Sequence, residues 1–503
     1  MLGRNPLPRI CIALGFPDVE TLIQHARRDA EEGERFLEFR LDYLEQPLEG
    51  VQAIKGFLKL YPDATILATC RRHQNHGKFN GSVDEQIQVL EAAIDAGAAA
   101  VDLEIESAET VVPKTQNLRA RACFVLSYHN FETTPNLDPI LRRMLKVNAD
   151  AYKIVTTARK PSDIQRVLGI AKANPRTPLV LLAMGEVGFP VRILSPALGG
   201  LYTYAAPNTA QGTAAGQVSA KILRNLYRIE RFTRAAKIFG VIGDPISHSI
   251  SPAVHNRAFQ VKRMDAVYLP FLVKPGHLKD FMLLAEKLPI SGFSVTIPHK
   301  QKILRYLDSV DPLARRIGAV NTVWRKAGRW RGANTDAEGV TLPLAKKLRL
   351  AKSSVLLVGN GGAARGAAFA LVDAGAKLSI VGRNPDRVRA LAKICDAEPL
   401  MREQMNGRYF DALVHATPLG MHPHTEESFF PDAIPADLVF DMVYNPLETL
   451  LVRHAREQRK EVVPGIQMFL EQAAQQYEIW TGETAPRSAM EKAALEALTT
   501  PAA

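Results

Sequence analysis

Cysteine is scarce in this chain: four among 503 residues, Cys11, Cys70, Cys123 and Cys395, widely separated, and a chain this long can bury stable cores without covalent staples. The first three fall in or beside apolar runs, where a reduced thiol behaves as a small hydrophobe, so a reducing compartment, the cytoplasm, is expected. No apolar run approaches the roughly 18 residues of a membrane span, and residues 7–14 read as a strand rather than a signal peptide. No nucleic-acid motif accompanies the formal charge of +11, whose Lys and Arg residues are spread along the chain. What such a field favours is small anionic ligands, carboxylates and phosphates. His73-x-x-His76 and His422-x-His424 have no Cys or carboxylate ligands at recognised spacing, so no metal is expected. Nor is there a Pro, Gly or Ser tract over residues 231–237, where the pattern of the sequence changes, so the two parts joined there are held by a short linker.

Before that junction, apolar runs begin near residues 9, 36, 65, 99, 123, 151, 179 and 201. Segments of helical periodicity lie between them, one opened by Ser82-Val83-Asp84-Glu85 as a capping box. Strand and helix alternating eight times over residues 1–230 is the grammar of an α/β (β/α)8 TIM barrel, with an open doubly wound sheet as the alternative. Chemistry in a barrel belongs at the C-terminal ends of the strands, and charged residues gather there. Glu38, Arg40 and Asp42 alternate with Phe39 and Leu41, which turns the polar set toward the interior or mouth. Arg71 ends the third run, Asp102 and Glu104 alternate in the fourth, His129 follows the fifth and Lys153 lies in the sixth. A structural salt-bridge layer is the bland reading of that concentration.

Lys153 is the sharpest feature. Flanked by Tyr152 and Ile154, with arginines nearby, its pKa is expected to fall and its free amine to attack a ketone. His129 can then remove the proton beside the iminium and protonate a leaving hydroxyl, and Arg192 suits a substrate carboxylate. Glu38-Phe39-Arg40-Leu41-Asp42, Thr69-Cys70-Arg71, Val101-Asp102-Leu103-Glu104, Ser127-Tyr128-His129-Asn130-Phe131, Tyr152-Lys153-Ile154 and Ala214-Ala215-Gly216-Gln217 resemble, in order and spacing, type I 3-dehydroquinate dehydratases. That resemblance implies Lys153 as the Schiff-base lysine and His129 as acid/base, with Glu38, Arg40, Arg71, Arg192, Thr213 and Gln217 holding substrate. The sequence departs from the family at Asn75, four residues after Arg71, where the family has a glutamate that orients the histidine; an amide can still hydrogen-bond an imidazole.

Beyond the junction, the strand at 238–243 leads into a serine-dense turn with Ser249 and Ser251, which either bind hydroxyls or carboxylates or cap the next helix. A further strand ends in Thr296 and Lys300; Asn321 and then Asp336 follow on turns. The strand at 354–358 runs into Gly359-Asn360-Gly361-Gly362-Ala363-Ala364-Arg365-Gly366 and an Ala-rich helix, a dinucleotide fingerprint with the pyrophosphate expected at the helix N-terminus. The next strand ends in Gly382-Arg383-Asn384, with Arg387 close by and no acidic residue to grip a ribose; two arginines favour NADP(H) over NAD, against a reading as solvent-facing arginines.

Ser249-x-Ser251, Val295-Thr296-x-Pro298-x-Lys300, Ala319-Val320-Asn321-Thr322, Asn334-Thr335-Asp336, Ala416-Thr417-Pro418-Leu419-Gly420-Met421, Asp441-Met442-Val443-Tyr444-x-Pro446 and Gln472-Ala473-Ala474 resemble shikimate dehydrogenases. The resemblance implies Lys300 and Asp336 as the catalytic pair and Ser249, Ser251, Thr296, Asn321, Tyr444 and Gln472 as substrate ligands. It implies a substrate lobe over 238–338, rejoined by 470–503, and a Rossmann lobe over 339–469. Thr417, Met421 and Gly465 join the expected cofactor set, although Gly465, at a helix start, also reads as packing. The two resemblances together imply dehydration of 3-dehydroquinate followed by NADPH-dependent reduction to shikimate. A class I aldolase-like barrel and a quinate-preferring oxidoreductase remain the alternatives; a binding or regulatory module in place of one enzyme is a third. The partners expected are small molecules, with self-association left open.

Overall fold

The computed structural model describes residues 7–209, 212–214 and 216–499. They divide into two compact units, residues 1–236 with 270–289, and residues 237–269 with 290–503.

In the first unit, strands β1 (Ile10–Leu14), β2 (Phe36–Arg40), β3 (Thr65–Thr69), β4 (Ala100–Glu104), β5 (Cys123–His129), β6 (Ala151–Thr157), β7 (Leu179–Met184) and β8 (Thr203–Ala205) form one parallel sheet in the order β7-β6-β5-β4-β3-β2-β1-β8. The sheet closes through the residues just before β8: the Leu201 amide donates to the Leu179 carbonyl at 2.8 Å. That settles the choice between barrel and open sheet in favour of the barrel. Alternation does the rest. Phe36, Leu67, Ala100, Val125, Ala151 and Tyr204 meet in an interior core, while Phe39, on the opposite face, packs edge-on against Phe57 of the helix Pro47–Leu60. Both halves of the Ser82/Glu85 capping box form, which fixes the start of the helix Val83–Asp95.

Two readings need adjusting. β8 begins at Thr203 rather than at 201, and β2 ends at Arg40, so Asp42 lies in the 3-10 turn Leu41–Tyr43 instead of continuing the strand. The reason is visible: Asp42 turns back to accept two hydrogen bonds from the Arg40 guanidinium, at 2.9 and 2.8 Å. After the barrel, Ile229, Phe232 and Ala236 are buried and Lys237 is the first residue of β9.

The second unit holds two sheets. β9 (Lys237–Gly243), β10 (Ala266–Leu272), β11 (Ile290–Val295), β12 (Ser309–Val310), β13 (Thr322–Lys326) and β14 (Arg329–Ala333) form a mixed sheet in the order β10-β9-β11-β13-β14-β12. Against it Trp480, on the helix Gly465–Thr481, stacks on Phe239 at 5.4 Å and donates its indole N–H to the Val323 carbonyl at 3.0 Å. β15 (Ser354–Val358), β16 (Lys377–Val381), β17 (Glu398–Pro399), β18 (Phe410–His415), β19 (Ala436–Asp441) and β20 (Glu461–Val463) are all parallel, ordered β17-β16-β15-β18-β19-β20. Counted from β15 this is the 3-2-1-4-5-6 arrangement of a dinucleotide-binding fold, whose switch point lies at the C-terminal ends of β15 and β18.

Candidate active sites

The barrel interior changes character toward the strand ends. Above the apolar layers, inward positions carry Glu38, Thr69, Asp102, Ser127, Lys153 and Tyr204, all buried. The Lys153 ammonium donates to Asp102 Oδ2 at 3.0 Å and to the Tyr204 hydroxyl at 2.9 Å, and lies 3.6 Å from Glu38 Oε1. Its nearest charged neighbours are therefore carboxylates, not the arginines the sequence suggested. Asp102 also accepts from Ser127 at 2.7 Å and from Arg71 at 3.1 Å. Burial would push its carboxyl up, but Lys153 and Arg71 outweigh it and hold the group far below the usual carboxylate range. A buried ionic cluster with one member removed leaves uncompensated charge, so these side chains fix one another.

His129, at the end of β5, keeps a neutral imidazole: burial first, then Arg71 and Lys153, hold its pKa well below the ordinary histidine value. Its Nδ1 is buried with no hydrogen-bond partner among the described residues. Asn75 does not supply one. Its amide donates instead to Glu106 at 3.1 Å, on the exposed side of the turn His73–Asn75. Phe131 stacks on the His129 ring at 5.8 Å.

Arg192 is fully buried yet donates to carbonyls, those of Tyr204 at 2.6 Å and Gly216 at 3.1 Å; among the described residues it has no carboxylate partner. Burial alone lowers its pKa to about 10. A desolvated guanidinium with no counter-ion is costly unless an anion completes it. The Gly216 contact brings the loop with Thr213 and Gln217 to Arg192, and Thr213 lies against Gly15 at the end of β1, where a Cβ would meet its methyl at 2.8 Å. The structure thus gathers Glu38, Arg71, His129 and Lys153 into one mouth and ties the buried Arg192 to it through Tyr204, whose carbonyl accepts from Arg192 and whose hydroxyl accepts from Lys153. Arg40 is occupied by Asp42 and stacks over Tyr43 at 4.7 Å. Tyr204 was not singled out from sequence, where a strand tyrosine reads as core.

In the second unit Lys300 donates to Asp336 Oδ2 at 2.5 Å, and Asn321 donates to Asp336 Oδ1 at 2.8 Å. Asn321 in turn accepts from the Thr335 amide at 2.8 Å, so its visible work is to orient the pair. Thr296 follows β11, its amide bonded to the Ile242 carbonyl. Ser249 Oγ accepts from the Ser251 amide at 3.3 Å, while Ser251, the first residue of the helix Ser251–Val261, lies beside the Tyr268 hydroxyl. Tyr268 shares a 2.7 Å hydrogen bond with Ser294, which donates to Gln476 at 2.7 Å; sequence reading missed these three. Tyr444 packs its ring at a tilt against Phe469 at 4.8 Å, and burial pushes its pKa up to about 12. Gln472, one turn along the same helix, donates to the Phe469 carbonyl.

The nucleotide fingerprint fits its expected ligand. Gly359 adopts φ of 128°, and a Cβ there would come within 2.7 Å of the Ala416 carbonyl; around Gly361 and Gly362 there is open space at the N-terminus of the helix Gly362–Asp373. Ala364 is buried in the lobe's core, the role of a small third residue, and Ala363 follows Gly362 in the first turn. Asn360 donates to the Asn384 carbonyl at 3.3 Å, tying the loop to the exposed Arg383 and Arg387. On the same helix, a Cβ on Gly366 would stand 3.9 Å from Asp336 Cβ, so the nucleotide helix borders the Lys300–Asp336 pair. Thr417 Oγ1 is 2.5 Å from His415 Nε2, whose Nδ1 is 2.9 Å from the buried Asp441; Met421, beyond it, is exposed. Gly465 is a packing glycine, since a Cβ would collide with the Val443 carbonyl at 2.3 Å. Among the described residues no group of three His, Cys, Asp or Glu could hold a metal ion, and no helix is long and apolar enough to cross a membrane.

Residues 10–233 match the model of type I 3-dehydroquinase, 241–323 the shikimate dehydrogenase substrate binding domain, 343–418 shikimate / quinate 5-dehydrogenase, and 465–495 the shikimate 5'-dehydrogenase C-terminal domain. A bifunctional 3-dehydroquinate dehydratase/shikimate dehydrogenase of Arabidopsis thaliana, named chloroplastic, is 34% identical over 96% of this chain and 83% of its own. A shikimate dehydrogenase (NADP(+)) of Methanosarcina acetivorans is 41% identical over 52% of this chain and 99% of its own. Among solved structures, a shikimate dehydrogenase in complex with NADP+ matches 54% of this chain and 98% of its own at 34% identity, with a TM-score of 0.51.

Proposed function

The chain belongs to the family of bifunctional 3-dehydroquinate dehydratase/shikimate dehydrogenases, a lyase joined to an NADP-dependent oxidoreductase of the shikimate pathway, and from that premise we propose how its residues divide the work. Residues 1–230 carry the dehydration. Lys153 attacks the ketone of 3-dehydroquinate and forms a Schiff base. His129, neutral because of its burial, removes the proton from the adjacent carbon, and the imidazolium so formed protonates the leaving hydroxyl. Arg192 receives the substrate carboxylate; Glu38, Arg40, Arg71, Thr213 and Gln217 hold the ring hydroxyls and the departing groups. The observation that carries this reading is Lys153 held at 3.0 Å by Asp102 in the same buried mouth as His129, with Arg192, which has no carboxylate partner among the described residues, bonded to the same Tyr204.

Residues 238–338 with 470–503 hold 3-dehydroshikimate, and residues 339–469 hold NADP(H), which supplies the hydride when bound. Gly359, Asn360, Gly361, Gly362, Ala363 and Ala364 would cradle its pyrophosphate, Arg383, Asn384 and Arg387 would hold the 2′-phosphate, and Thr417 and Met421 would complete its pocket. Lys300 gives a proton to the substrate carbonyl oxygen, and Asp336 holds Lys300 and a ring hydroxyl. Ser249, Ser251, Thr296, Asn321, Tyr444 and Gln472 bind the rest of the ring. We place the reaction in a reducing cytoplasm, a reading supported by four free, buried cysteines and qualified by the chloroplastic Arabidopsis relative.

The test is a coupled assay of NADPH oxidation from 3-dehydroquinate. Lys153→Ala and Lys300→Ala each abolish it, and added 3-dehydroshikimate restores it in the first variant alone. Restoration in both, or retention of activity by Lys153→Ala, defeats the assignment. Turnover on quinate well below that on shikimate separates the second unit from a quinate-preferring enzyme.

A further inference from the structure

An amine that is to attack a ketone must first lose a proton, and the buried surroundings of Lys153 decide where that proton goes. Asp102 is the nearest carboxylate, at 3.0 Å, but Arg71, Ser127 and Lys153 itself already occupy it and hold its carboxyl far down. His129 is kept neutral by burial and by Arg71 and Lys153, which makes it a reluctant acceptor before substrate arrives. Glu38 is the remaining carboxylate. Its Oε1 is 3.6 Å from Lys153 Nζ, too long for a direct hydrogen bond, and the Tyr204 hydroxyl stands between: 2.9 Å from Lys153 Nζ and 3.4 Å from Glu38 Oε1.

Resting on the Schiff-base reading above, we propose that Tyr204 relays the proton between Lys153 and Glu38. As Lys153 Nζ gives a proton to Tyr204 Oη, the tyrosine's own proton passes to Glu38 Oε1, leaving a neutral amine, a neutral phenol and a protonated carboxyl. The nitrogen lone pair then adds to the ketone carbon. When the resulting carbinolamine expels its hydroxyl, the proton returns from Glu38 through Tyr204 and leaves with it as water, so the relay ends as it began. The phenol suits this task because it does not itself ionise: burial, then Glu38, push its pKa well above the usual tyrosine value. The groups that face it are Glu38 from β2, Tyr202 from β8, Cys11 from β1, Asp102 from β4 and Lys153 from β6. Its ring also lies 4.2 Å from the ammonium, a cation–π contact that phenylalanine would keep.

Tyr204→Phe in the full chain isolates the hydroxyl. The readout is the rate of cyanoborohydride-trapped adduct on Lys153 with 3-dehydroquinate, measured from pH 6 to 10. The expected result is a loss of at least about tenfold at pH 7, which narrows as pH rises and solvent takes over deprotonation. Reduction of 3-dehydroshikimate by the same chain and its melting curve report that the variant is folded. A loss of equal size at every pH assigns Tyr204 to packing alone and overturns the relay, as does a rate unchanged from wild type. If the wild type itself yields no adduct, the Schiff-base reading falls and the relay with it.

Discussion

Arg192 shows how much a single side chain can reveal when its expected partner is missing. Arginines that are buried for stability are matched by carboxylates, as Arg71 is by Asp102 and Arg40 by Asp42. Arg192 donates to two carbonyls and has its pKa pulled down to about 10 by burial. Its cost to the fold is the reason to assign it to an anion that arrives later. Arg192→Lys should therefore lower kcat/KM for dehydration by roughly 30- to 300-fold, about 2–3 kcal/mol for a lost forked, charge-assisted contact. Melting temperature should stay within a few degrees, since no internal ion pair is broken. Steady-state kinetics on 3-dehydroquinate beside calorimetry checks both halves of that statement. Lys153 and His129 were legible in the sequence because an ionisable residue in or at the end of an apolar strand needs a reason to be there, whereas Arg192, in the helix Phe189–Leu194, was legible only as a candidate clamp for a carboxylate. Tyr204 was not, because its meaning depends on Lys153 and Glu38, 51 and 166 positions away, and only barrel closure brings them together.

At the scale of elements, the eight strands were readable from alternation, and the capping box at Ser82 from its four residues. Strand ends were not, since Asp42 leaves the strand only because Arg40 and the Lys78 amide capture its carboxylate. The helix Ser251–Val261 carries a further consequence. His255 is buried between Tyr268, stacked at 4.4 Å, and Trp480 at 5.1 Å, and neither ring nitrogen has a hydrogen-bond partner among the described residues. Burial lowers its pKa to about 3, opposed by the neighbouring Gln476. Because the folded value lies below the unfolded one of about 6.5, the unfolded state binds the extra proton between those limits. Stability should thus be intact above pH 6.5 and fall as pH drops, by about 2 kcal/mol at pH 5 from this residue. Denaturant unfolding of the second unit at pH 7 and pH 5 measures it, and His255→Phe should remove most of the difference.

For the whole molecule, each proposed catalytic set is complete within one compact unit: Glu38, His129, Lys153 and Arg192 in the first, Lys300, Asn321, Asp336 and the nucleotide loop in the second. A mixture of Lys153→Ala and Lys300→Ala chains should therefore oxidise NADPH from 3-dehydroquinate, although each alone does not. The lag before steady oxidation should lengthen on dilution, as a released intermediate must find a second molecule. Absence of complementation, with each chain still active on its own partial reaction, would show that the intermediate is not released. The sequence made the two-part plan readable because the two halves follow different grammars, eight even beats and then glycine-rich turns. Within the junction itself only Phe232 and Ala236 are buried, Arg231, Thr233, Arg234 and Ala235 are exposed, and Lys237 is already in β9.

Trp480, described above as the ring that stacks on Phe239 and bonds the Val323 carbonyl, has a spectroscopic meaning. The chain has three tryptophans, Trp324, Trp330 and Trp480, and all belong to the second unit; the barrel has none. Indole emission is accordingly a reporter of one enzyme and blind to the other. A fluorescence melt follows the reductase alone, near-ultraviolet dichroism of the barrel rests on tyrosine and phenylalanine, and any gap between an optical and a calorimetric transition separates the two enzymes without cutting the chain.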